Sequence, residues 1–537
     1  MSRLDDIQRS NSATKDELEP DHIESLPLKK APMSPLERQE ALEAALKIDP
    51  GVKSFSWPAF HMYLITLVAC CCSGDTGFDS TVMGGINSMW QYQQFFGLTG
   101  TGSKTSIVFG IYTIGSLCGT IPASYLPDRF GRRFSMFFGN CLIVTGAALT
   151  ANARNESMFL GGRFLTGMGG GCAGASAKSF LAELAPPQWR GAYLGFLNSF
   201  YYIGQMAATG MMVATGRWDN ELAWRLPLYI QMVPAALNVL FVFFCYESPR
   251  WLFSVGKADA ARHVLANLHS RTCDINSPLV ALEMDEIEEK VTIGGADKSW
   301  WDFRPLFRTK GDRSRMLRVV VIGWFGQLSG NGLITYFLPV LLKQAGITDQ
   351  NKQLTLNFVN SVTSYIGALA GSFTVDRWGR RTVLFYSTVA ITALLAIVTG
   401  LLGSNSSGNL VQANAGISFI YLFMVVFSYG WTAMQALYPA EVLGYQARAK
   451  GLAFLGIVTQ AASCINTFGL PVALEKIGWK VYLIFCIWDM FECVVIWFMM
   501  VETKGLTLEE ITEVFEQKNP VAYSKHILRV HEQPGAV

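Results

Sequence analysis

Long apolar blocks alternate with short polar segments over most of the chain. A membrane-spanning helix needs about 20 mostly apolar residues, and twelve stretches reach that length. Their limits are 58–85, 104–126, 134–152, 158–185, 192–215 and 225–246, then 317–344, 353–375, 382–402, 415–439, 450–474 and 479–501. We number them spans 1 to 12 in chain order. The pattern predicts an all-α membrane protein with twelve transmembrane helices.

The polar segments divide the chain into five parts. Residues 1–56 are charged and cannot bury a core, so we expect a disordered cytoplasmic N-terminal tail. A six-helix bundle over 57–246 and a second over 317–501 flank the one long polar segment, 247–316, which has helix-like patches and is expected to be a helical cytoplasmic linker. Residues 502–537 are expected to form a cytoplasmic C-terminal tail.

Composition agrees with a membrane protein. Half of the residues are apolar, only 16% are charged, and the mean hydropathy is +0.27. The net charge of +2 is spread over short clusters, which argues against nucleic-acid binding. The eleven cysteines lie mostly inside the apolar blocks without metal-ligand spacing. Because no nucleophile–base set or phosphate loop occurs either, we expect neither an enzyme nor a metal or organic cofactor.

A charged turn occurs twice. The sequence DRFGRR at 128–133 recurs as DRWGRR at 376–381. A glutamate precedes an arginine by seven residues in both halves, at Glu183 and at Glu441. Spans 6 and 12 close with ESPR at 247–250 and ETKG at 502–505. Three features in one order indicate a duplication, with two parallel six-helix repeats about an axis along the membrane normal.

The arginines also predict the orientation. They follow the even-numbered spans, so those loops and both termini should be cytoplasmic. The two N-x-S/T sequons, at Asn155 and Asn405, then fall outside and are candidate glycosylation sites.

Two interpretations of the charged turns stay open. The arginines either hold the loops inside, or they pair with the glutamates as a clasp that keeps the cytoplasmic side closed and breaks on the opposite swing. The second interpretation predicts a cytoplasmic gate made of Asp128, Arg129, Arg132, Arg133, Glu183, Arg190, Glu247, Arg250, Asp376, Arg377, Arg380, Arg381, Glu441, Arg448 and Glu502.

Together these motifs resemble the sugar porters of the major facilitator superfamily from about residue 57 to 515. The sequences QLSGNG at 327–332 and QALYPAEV at 435–442 resemble the fungal lactose and cellodextrin permeases in particular. Two positions depart from the family pattern, where Val501 and Lys178 stand in place of prolines. The resemblance implies the major facilitator fold and transport of a sugar.

Ionisable residues inside the spans are functional candidates. The resemblance implies that Asp79 and Arg163, both in the outer half, are a proton-coupling pair; the alternative is a permanent buried ion pair. Asp75 lies one turn before Asp79 and is a candidate to share that role, with Lys178 as its candidate partner. For Asp489 and Glu492 in span 12 we expect a packing or lipid-interface role.

Sugar recognition needs amides, hydroxyls and an aromatic face. The family's binding positions correspond here to Asn198, Gln205, Gln327, Asn331, Trp431, Gln435, Gln460 and Ser463, with Asn360 and Ser364 as weaker candidates. Gly326 and Gly332 replace larger amides of hexose binders, which predicts a roomier site.

The expected function is therefore a proton-coupled symporter that imports a disaccharide of the lactose or cellobiose type by alternating access. The proton would be the coupling ion, the sugar and the lipid bilayer the partners, and a monomer in the plasma membrane the working form. The alternatives are a facilitative hexose transporter, which Asp79 with Arg163 opposes, and a sugar sensor without transport, which the short C-terminal tail opposes.

Overall fold

The computed structural model is all-helical in the residues that it describes. These are 35–53, 55–98, 100–295, 303–344, 346–404, 410–443, 448–506 and 508–532. Each apolar block becomes a helix, or a pair of helices, within a few residues of its expected limits. Spans 1 to 6 are Trp57–Ser88, Ser103–Phe130, Arg132–Ala151, Glu156–Leu184, Arg190–Thr215 and Leu222–Phe241. Spans 8 to 12 are Gln350–Trp378, Arg380–Ser404, Leu410–Val442, Arg448–Ile477 and Lys480–Met499.

Shorter helices lie outside the spans. One follows span 1, three belong to the linker and two to the C-terminal segment. They are Trp90–Phe96, then Pro249–Ser254, Ala258–His269 and Pro278–Gly295, then Leu508–Glu516 and Pro520–Glu532. The linker is therefore helical, as its sequence patches predict.

Span 7 is broken, which the hydrophobic pattern does not predict. Its two parts are Lys310–Leu328 and Asn331–Gln344. Between them Gly330 has a φ of 84°, a left-handed conformation that glycine adopts without strain. The break falls inside the QLSGNG sequence, so two of the candidate binding residues, Gln327 and Asn331, lie on either side of it.

Eight of the described helices are long and apolar enough to cross a membrane by length and composition alone. They are spans 1, 2, 3, 6, 9, 10, 11 and 12. Spans 4, 5, 7 and 8 fall below that level because glycines, amides, charges or a break interrupt them. More than half of the candidate binding and coupling residues lie on these four spans, so polar residues of the candidate site contribute to their low hydropathy.

The spans form two groups of six. Span 3 packs on spans 2, 4 and 6, and span 9 packs on spans 8, 10 and 12. The groups meet through spans 2 and 11, spans 5 and 8, and span 1 with the second part of span 7. We refer to the end of the bundle with the duplicated turns as the turn side and to the opposite end as the far side.

Hydrogen bonds join the two halves on the far side. Ser106 Oγ donates to the carbonyl oxygen of Phe468 at 2.9 Å, and Gln350 Nε2 donates to that of Gly216 at 2.9 Å. Ser106, Gly216 and Gln350 lie at or near the far-side ends of spans 2, 5 and 8, and Phe468 lies in the far-side part of span 11. The conformation is therefore one in which the far side is closed.

Glycines allow spans 1 and 5 to touch backbone to backbone. A Cβ added to Gly204 would overlap the carbonyl oxygen of Gly74, and one on Gly77 would overlap that of Tyr201. Small residues at such contacts are typical of helix pairs in membranes. They set the position of Gln205, which follows Gly204.

The end of the N-terminal segment is ordered, contrary to the expected disordered tail. A helix, Pro35–Ile48, packs on the linker helix Pro278–Gly295. Behind it the buried Asp49 carboxylate accepts bonds from the Ser270 and Ser277 hydroxyls, each at 2.7 Å. Burial raises the pKa of Asp49, but these and two backbone bonds outweigh it, so the pKa lies below its ordinary value. The sequence did not predict this short helix, because the N-terminal tail has a charged composition that is typical of disorder.

A histidine attaches the linker to span 4. His269 ends the linker helix Ala258–His269; its Nε2 donates to the Leu184 carbonyl oxygen at 2.9 Å and its Nδ1 to the Glu283 carboxylate at 2.8 Å. Burial lowers the pKa of His269, but the Glu283 charge and the hydrogen bonds outweigh it, so the pKa is raised. Both ring nitrogens meet acceptors, which favours the imidazolium.

The attachment should therefore weaken as pH rises. A raised pKa means that the stabilisation is complete below the unfolded value of about 6.5 and is lost as pH rises through the folded value. Hydrogen exchange of residues 258–269, corrected for the intrinsic rate, should be faster at high pH in the wild type. In His269→Gln the corrected rate should be high at every pH. A corrected wild-type rate that does not change with pH would contradict the imidazolium.

Gly204→Ala should destabilise the protein, because the added methyl group has no room and overpacking costs about 1–3 kcal/mol. Gly195→Ala is the matched control in the same span, since nothing lies within 4 Å of the added Cβ there. Thermal unfolding of both purified variants in detergent measures the difference. Equal midpoints would contradict the close contact between spans 1 and 5.

Candidate functional site

A buried ion pair joins spans 1 and 4. Arg163 Nη1 donates to Asp79 Oδ1 at 2.6 Å, and the side chains are 3% and 2% exposed. Gln231 of span 6 donates to the same oxygen at 2.6 Å, and the guanidinium lies 4.6 Å from the centre of the Tyr112 ring. The sequence singled out the two charged residues but missed Gln231 and Tyr112. A search for amides inside apolar blocks would have found Gln231.

The neighbouring ionisable residues stay apart. Asp75 is buried one turn before Asp79, and its carboxyl group makes no hydrogen bond or ion pair within the described residues. Lys178 is exposed and is not paired with Asp75 in this structure. The ion pair between Asp79 and Arg163 is thus the charged contact between spans 1 and 4 that the structure shows.

The candidate sugar-binding side chains lie on the spans that meet between the halves. Gln205 and Ser463 are buried, Gln327 and Asn331 are half-buried, and Asn198 is exposed.

Hydrogen bonds also cross between the halves in the same region. Gln460 Nε2 of span 11 donates to Ser116 Oγ of span 2, so this candidate amide links the halves. Tyr202 and Thr432 share a hydrogen bond of 2.8 Å between spans 5 and 10.

Trp431 differs most from its expected role. It is fully buried, and its ring stacks on that of Phe427 with 6.4 Å between the ring centres and 10° between the planes. No face of the indole is open to a sugar in this conformation. Its Nε1 nevertheless has no hydrogen-bond partner among the described residues, so a ligand that reached the indole N–H would satisfy a buried donor.

Other buried polar atoms of the second half also have no partner within the described chain. They include Asn331 Oδ1 on span 7 and Asn357 Nδ2, Asn360 Oδ1 and Ser364 Oγ on span 8. An unpaired buried polar atom costs about 1–3 kcal/mol, and a hydroxyl-rich ligand offers both donors and acceptors. The structure thus strengthens Asn360 and Ser364 as candidates and adds Asn357, one turn earlier.

The space beside Gly326 and Gly332, which was expected to be open to a sugar, is filled by side chains of the protein. A Cβ on Gly326 would lie 2.7 Å from Gln435 Nε2, and one on Gly332 would lie 2.9 Å from Asn466 Nδ2. Gln435 also donates to the Gly326 carbonyl oxygen at 3.3 Å. Contrary to the expectation of a roomier site, the small residues admit other amides of the protein itself.

Asn466 is a further amide beside the candidate residues, and the sequence pattern did not single it out. It is buried on span 11, three residues beyond Ser463, and its side chain donates to the Gln327 carbonyl oxygen at the break of span 7. Its place beside Gly332 joins it to the candidate residues of span 7. Its spacing from Ser463, one helical turn, was the signal that could have found it.

On the turn side of the first half, the charged turn at 128–133 binds the Glu247 carboxylate. We call this binding position the seat of the carboxylate. Glu247 accepts the backbone N–H groups of Arg132 and Arg133 at 3.1 and 3.3 Å, and it pairs with the Arg133 side chain at 3.4 Å. Glu183 pairs with Arg132 at 3.0 Å, and Arg132 also reaches Asp128 at 3.2 Å. The turn thereby ties the end of span 2 and the start of span 3 to the ends of spans 4 and 6.

The second half repeats this arrangement. Glu502 accepts the backbone N–H groups of Arg380 and Arg381 at 2.8 and 3.0 Å, and Arg380 pairs with Glu441 at 2.8 Å. The glutamate at the end of span 12 thus occupies the same kind of seat as the one at the end of span 6.

A glycine is part of each seat. Gly131 and Gly379 have φ of 95° and 90°, and a Cβ on them would overlap the carboxylates of Glu247 and Glu502. The glycines are needed both for the left-handed backbone conformation and for the space that the carboxylate fills.

These clasps differ from the predicted cytoplasmic gate, which was expected to break when the cytoplasmic side opens. Each lies within one half, and both are intact while the far side is closed. They hold four spans of one half together, because the carboxylates and the turn that they bind belong to the same half.

The remaining gate candidates take no part in the clasps. Arg129, Arg190 and Arg250 make no ion pair within the described residues, and the Arg377 carbonyl oxygen accepts from Lys504 Nζ at 2.6 Å. The side chains of Asp376 and Arg448, and the whole of Asn405, lie outside the described part of the chain.

The two acids of span 12 are inside the protein and not at the lipid surface. Asp489 and Glu492 are both 0% exposed, and Trp488 Nε1 donates to Glu492 at 2.6 Å. Span 12 packs mainly on span 9. Of the two expected roles, this position fits helix packing.

Comparison with known proteins identifies the family. The model of the family "Sugar (and other) transporter" matches residues 65–515. The chain belongs to this family. It is a sugar transporter of the major facilitator superfamily, a multi-pass membrane protein and not an enzyme, and its substrate is a sugar.

Relatives of this transporter include proteins named for glucose. It is 28% identical to a high-affinity glucose transporter of Kluyveromyces lactis, over 86% of each chain. It is 26% identical to high-affinity glucose transporter 1 of Candida albicans, over 87% of this chain and 88% of that one. The MFS-type transporter criB of Aspergillus cristatus is 29% identical over 83% of this chain and 91% of that one. A special likeness to disaccharide permeases stays a prediction.

Solved structures confirm the fold. The inward open conformation of the xylose transporter XylE from E. coli superposes with a TM-score of 0.69 at 20% identity, over 84% of this chain and 99% of that one. XylE bound to 6-bromo-6-deoxy-D-glucose gives 0.67 at 20% identity, over 86% and 100%. The transporter therefore has the predicted all-α major facilitator fold.

The candidate glycosylation site at Asn155 is exposed just before span 4. Its Oδ1 accepts the Met158 N–H at 2.8 Å as the helix N-cap. The side-chain nitrogen that would carry a glycan is not used in that bond. Glycosylation of Asn155 stays a prediction.

Breaking the buried pair should destabilise the transporter. Asp79→Asn leaves the Arg163 charge buried without a carboxylate, which costs about 3–5 kcal/mol. The double variant with Arg163→Met removes that charge and should recover part of the loss. Thermal unfolding of the two single variants and the double variant measures the coupling energy between Asp79 and Arg163. If the losses of stability in the single variants add up to the loss in the double variant, the pair contributes no coupling energy.

Proposed function

We propose that this chain is a proton-coupled symporter that imports its sugar by alternating access. One observation carries the proposal: the buried Asp79 carboxylate, which holds Arg163 and accepts from Gln231 between spans 1, 4 and 6. A carboxylate in such a position can bind a proton, and its protonation changes the charge balance of the first half. The alternative, a permanent ion pair, leaves transport independent of the proton gradient.

Proton binding at Asp79 would release Arg163. Because an unpaired buried cation is costly, the guanidinium must then find other acceptors or water. The side chains involved come from three spans of the first half, and span 1 also packs on the second part of span 7. A change of contacts at Asp79 is thereby linked to the boundary between the halves.

Sugar binding would draw mainly on the second half. The unpaired polar atoms of Asn331, Asn357, Asn360, Ser364 and Trp431 would give sugar hydroxyl groups their partners. The candidate amides Asn198 and Gln205 lie on span 5, which packs on span 8 of that half. Satisfying buried donors and acceptors would stabilise the loaded state, and the halves would then rock around the sugar.

The sugar itself has two candidates. The resemblance of residues 327–332 and 435–442 to fungal permeases favours a disaccharide of the lactose or cellobiose type. The amides that fill the space beside Gly326 and Gly332 favour a hexose, and the relatives named above include glucose transporters. A hexose is therefore the second candidate for the same coupled mechanism.

The expected setting is the plasma membrane, with the turn side and both termini in the cytoplasm and the protein as a monomer. The arginines of the duplicated turns support this orientation. Since the far side is closed in the structure, the conformation would then be one that releases sugar to the cytoplasm.

Uptake in yeast without its own sugar carriers tests the proposal. Labelled lactose, cellobiose and glucose are offered with and without an uncoupler, to cells that express the wild type or Asp79→Asn. We expect the uncoupler to abolish accumulation in the wild type, and the variant to equilibrate sugar without accumulating it. A second assay measures the exchange of labelled sugar between preloaded cells and the medium, at equal amounts of transporter at the cell surface. We expect the variant to exchange sugar in this assay, because it still carries sugar.

Asp489→Asn is the matched control, because it makes the same change at a buried acid of span 12. It should keep uncoupler-sensitive accumulation. Uptake by the wild type that the uncoupler does not affect would exclude proton coupling. Competition between the three sugars decides between a disaccharide and a hexose.

A further inference from the structure

Lys178 is an exposed basic residue on the face of span 4 that is directed away from span 3. Two residues earlier, Ser176 shares a 2.7 Å hydrogen bond with Ser135 of span 3. A step of two residues turns a helix by about 200°, so Lys178 points away from span 3.

On this face of span 4, Gly171 lies against Ser116 of span 2 and Gly174 lies against Thr76 of span 1. Spans 1 and 2 both pack on spans of the second half, so this face of span 4 is on the side of its bundle that is directed to the second half. The Lys178 side chain is exposed there.

Neighbouring residues place Lys178 in the part of span 4 that is closer to the turn side. Gly174, one turn earlier, faces Thr76 of span 1, with 4.0 Å between an added Cβ and Thr76 Oγ1. Lys178 lies six residues before the end of span 4 at Leu184, about 9 Å along the helix. It is thus closer to the turn side than the Asp79 and Arg163 pair.

Asn198 lies at a similar depth on span 5. It comes eight residues after the start at Arg190, about 12 Å along the helix. It is exposed and lies one turn before Tyr202, whose hydroxyl group bonds to Thr432 of the other half. Asn198 therefore faces the same space as Lys178, and it makes no hydrogen bond within the described residues.

Lys178 has no anionic partner within the described residues. Asp79 is occupied by Arg163, and Glu183 is occupied by Arg132 and by the Ser248 hydroxyl. The remaining acid nearby, Asp75, is buried and unpaired. Ionisable residues within membrane spans are costly and mark substrate pathways, and a neutral sugar has no charge to match a lysine.

We propose that Lys178 binds the carboxylate of a sugar acid, with Asn198 on its hydroxyl groups, so that the substrate class includes uronic or aldonic acids. The ammonium donates to a carboxylate in a charge-assisted hydrogen bond, and the amide both donates and accepts. This inference rests on the proposed sugar transport and names the substrate class of that same pathway.

Matched pairs of sugars that differ in charge test the inference. Labelled galacturonate and galactose, and lactobionate and lactose, are offered to the yeast cells at about pH 6, where the carboxylates are ionised. We expect the acids to be taken up with about tenfold higher efficiency than their neutral partners, the size of one charge-assisted bond. Lys178→Met should remove that preference and Lys178→Arg should keep it.

Ala175→Ser is the control on the same exposed face and should leave the preference unchanged. Transport of neutral sugars with no preference for acids, in wild type and Lys178→Met alike, would overturn the inference and leave the proposed function intact. No uptake of any sugar would overturn the proposed function itself.

A role of Lys178 toward Asp75 in another conformation gives a different result. In that case Lys178→Met and Asp75→Asn would reduce uptake of acids and neutral sugars equally, and the double variant would lose no more than either. That outcome would also overturn the inference. A loss confined to the acids in Lys178→Met supports it.

Discussion

Each half of the transporter is held together at one end by a single seated carboxylate. Glu247 and Glu502 accept the N–H groups of two consecutive arginines, and the first arginine of each pair binds the carboxylate near the end of span 4 or span 10. Bonds to ionised groups are the stronger ones in proteins. These contacts join spans 2, 3, 4 and 6 in the first half and spans 8, 9, 10 and 12 in the second. Each set can therefore move as one body, as alternating access requires.

The two halves share this scaffold but differ in chemistry. The ion pair of Asp79 and Arg163 belongs to the first half, whereas most of the unpaired amides and hydroxyls proposed to meet the sugar belong to the second. The second half has its own buried acids in span 12, and these make no ion pair among the described residues. Duplication supplied a common frame, and the halves then came to differ in the side chains that fill it.

Much of the fold follows from the sequence because lipid imposes long apolar helices. The twelve blocks, the linker and the duplicated turns all appear as helices and turns near their predicted limits. The break at Gly330 and the helix Pro35–Ile48 do not follow, since one is a local backbone feature inside an apolar block and the other is hidden in a charged leader. The helix also depends on contacts with a linker segment distant in sequence.

The candidate site was less predictable. The residue types of Asp79 and Arg163 were enough to single them out, because charges inside spans are rare. The amides were harder, because a sequence does not tell which side chain fills the space beside a glycine: Gln435 does so at Gly326, and an amide of span 11 at Gly332. Burial of Trp431 against its neighbouring ring likewise depends on the conformation.

The turn glycines also restrict what mutation can do to the gene. Every missense change of a glycine codon adds a Cβ. At residues 131 and 379 a residue with a Cβ would be strained by the left-handed backbone conformation, and the Cβ would also overlap a carboxylate. No single-base substitution that changes these residues preserves the seat. The two codons are therefore closed to neutral amino-acid replacement, while the position of Gly195 has room for the Cβ of an alanine.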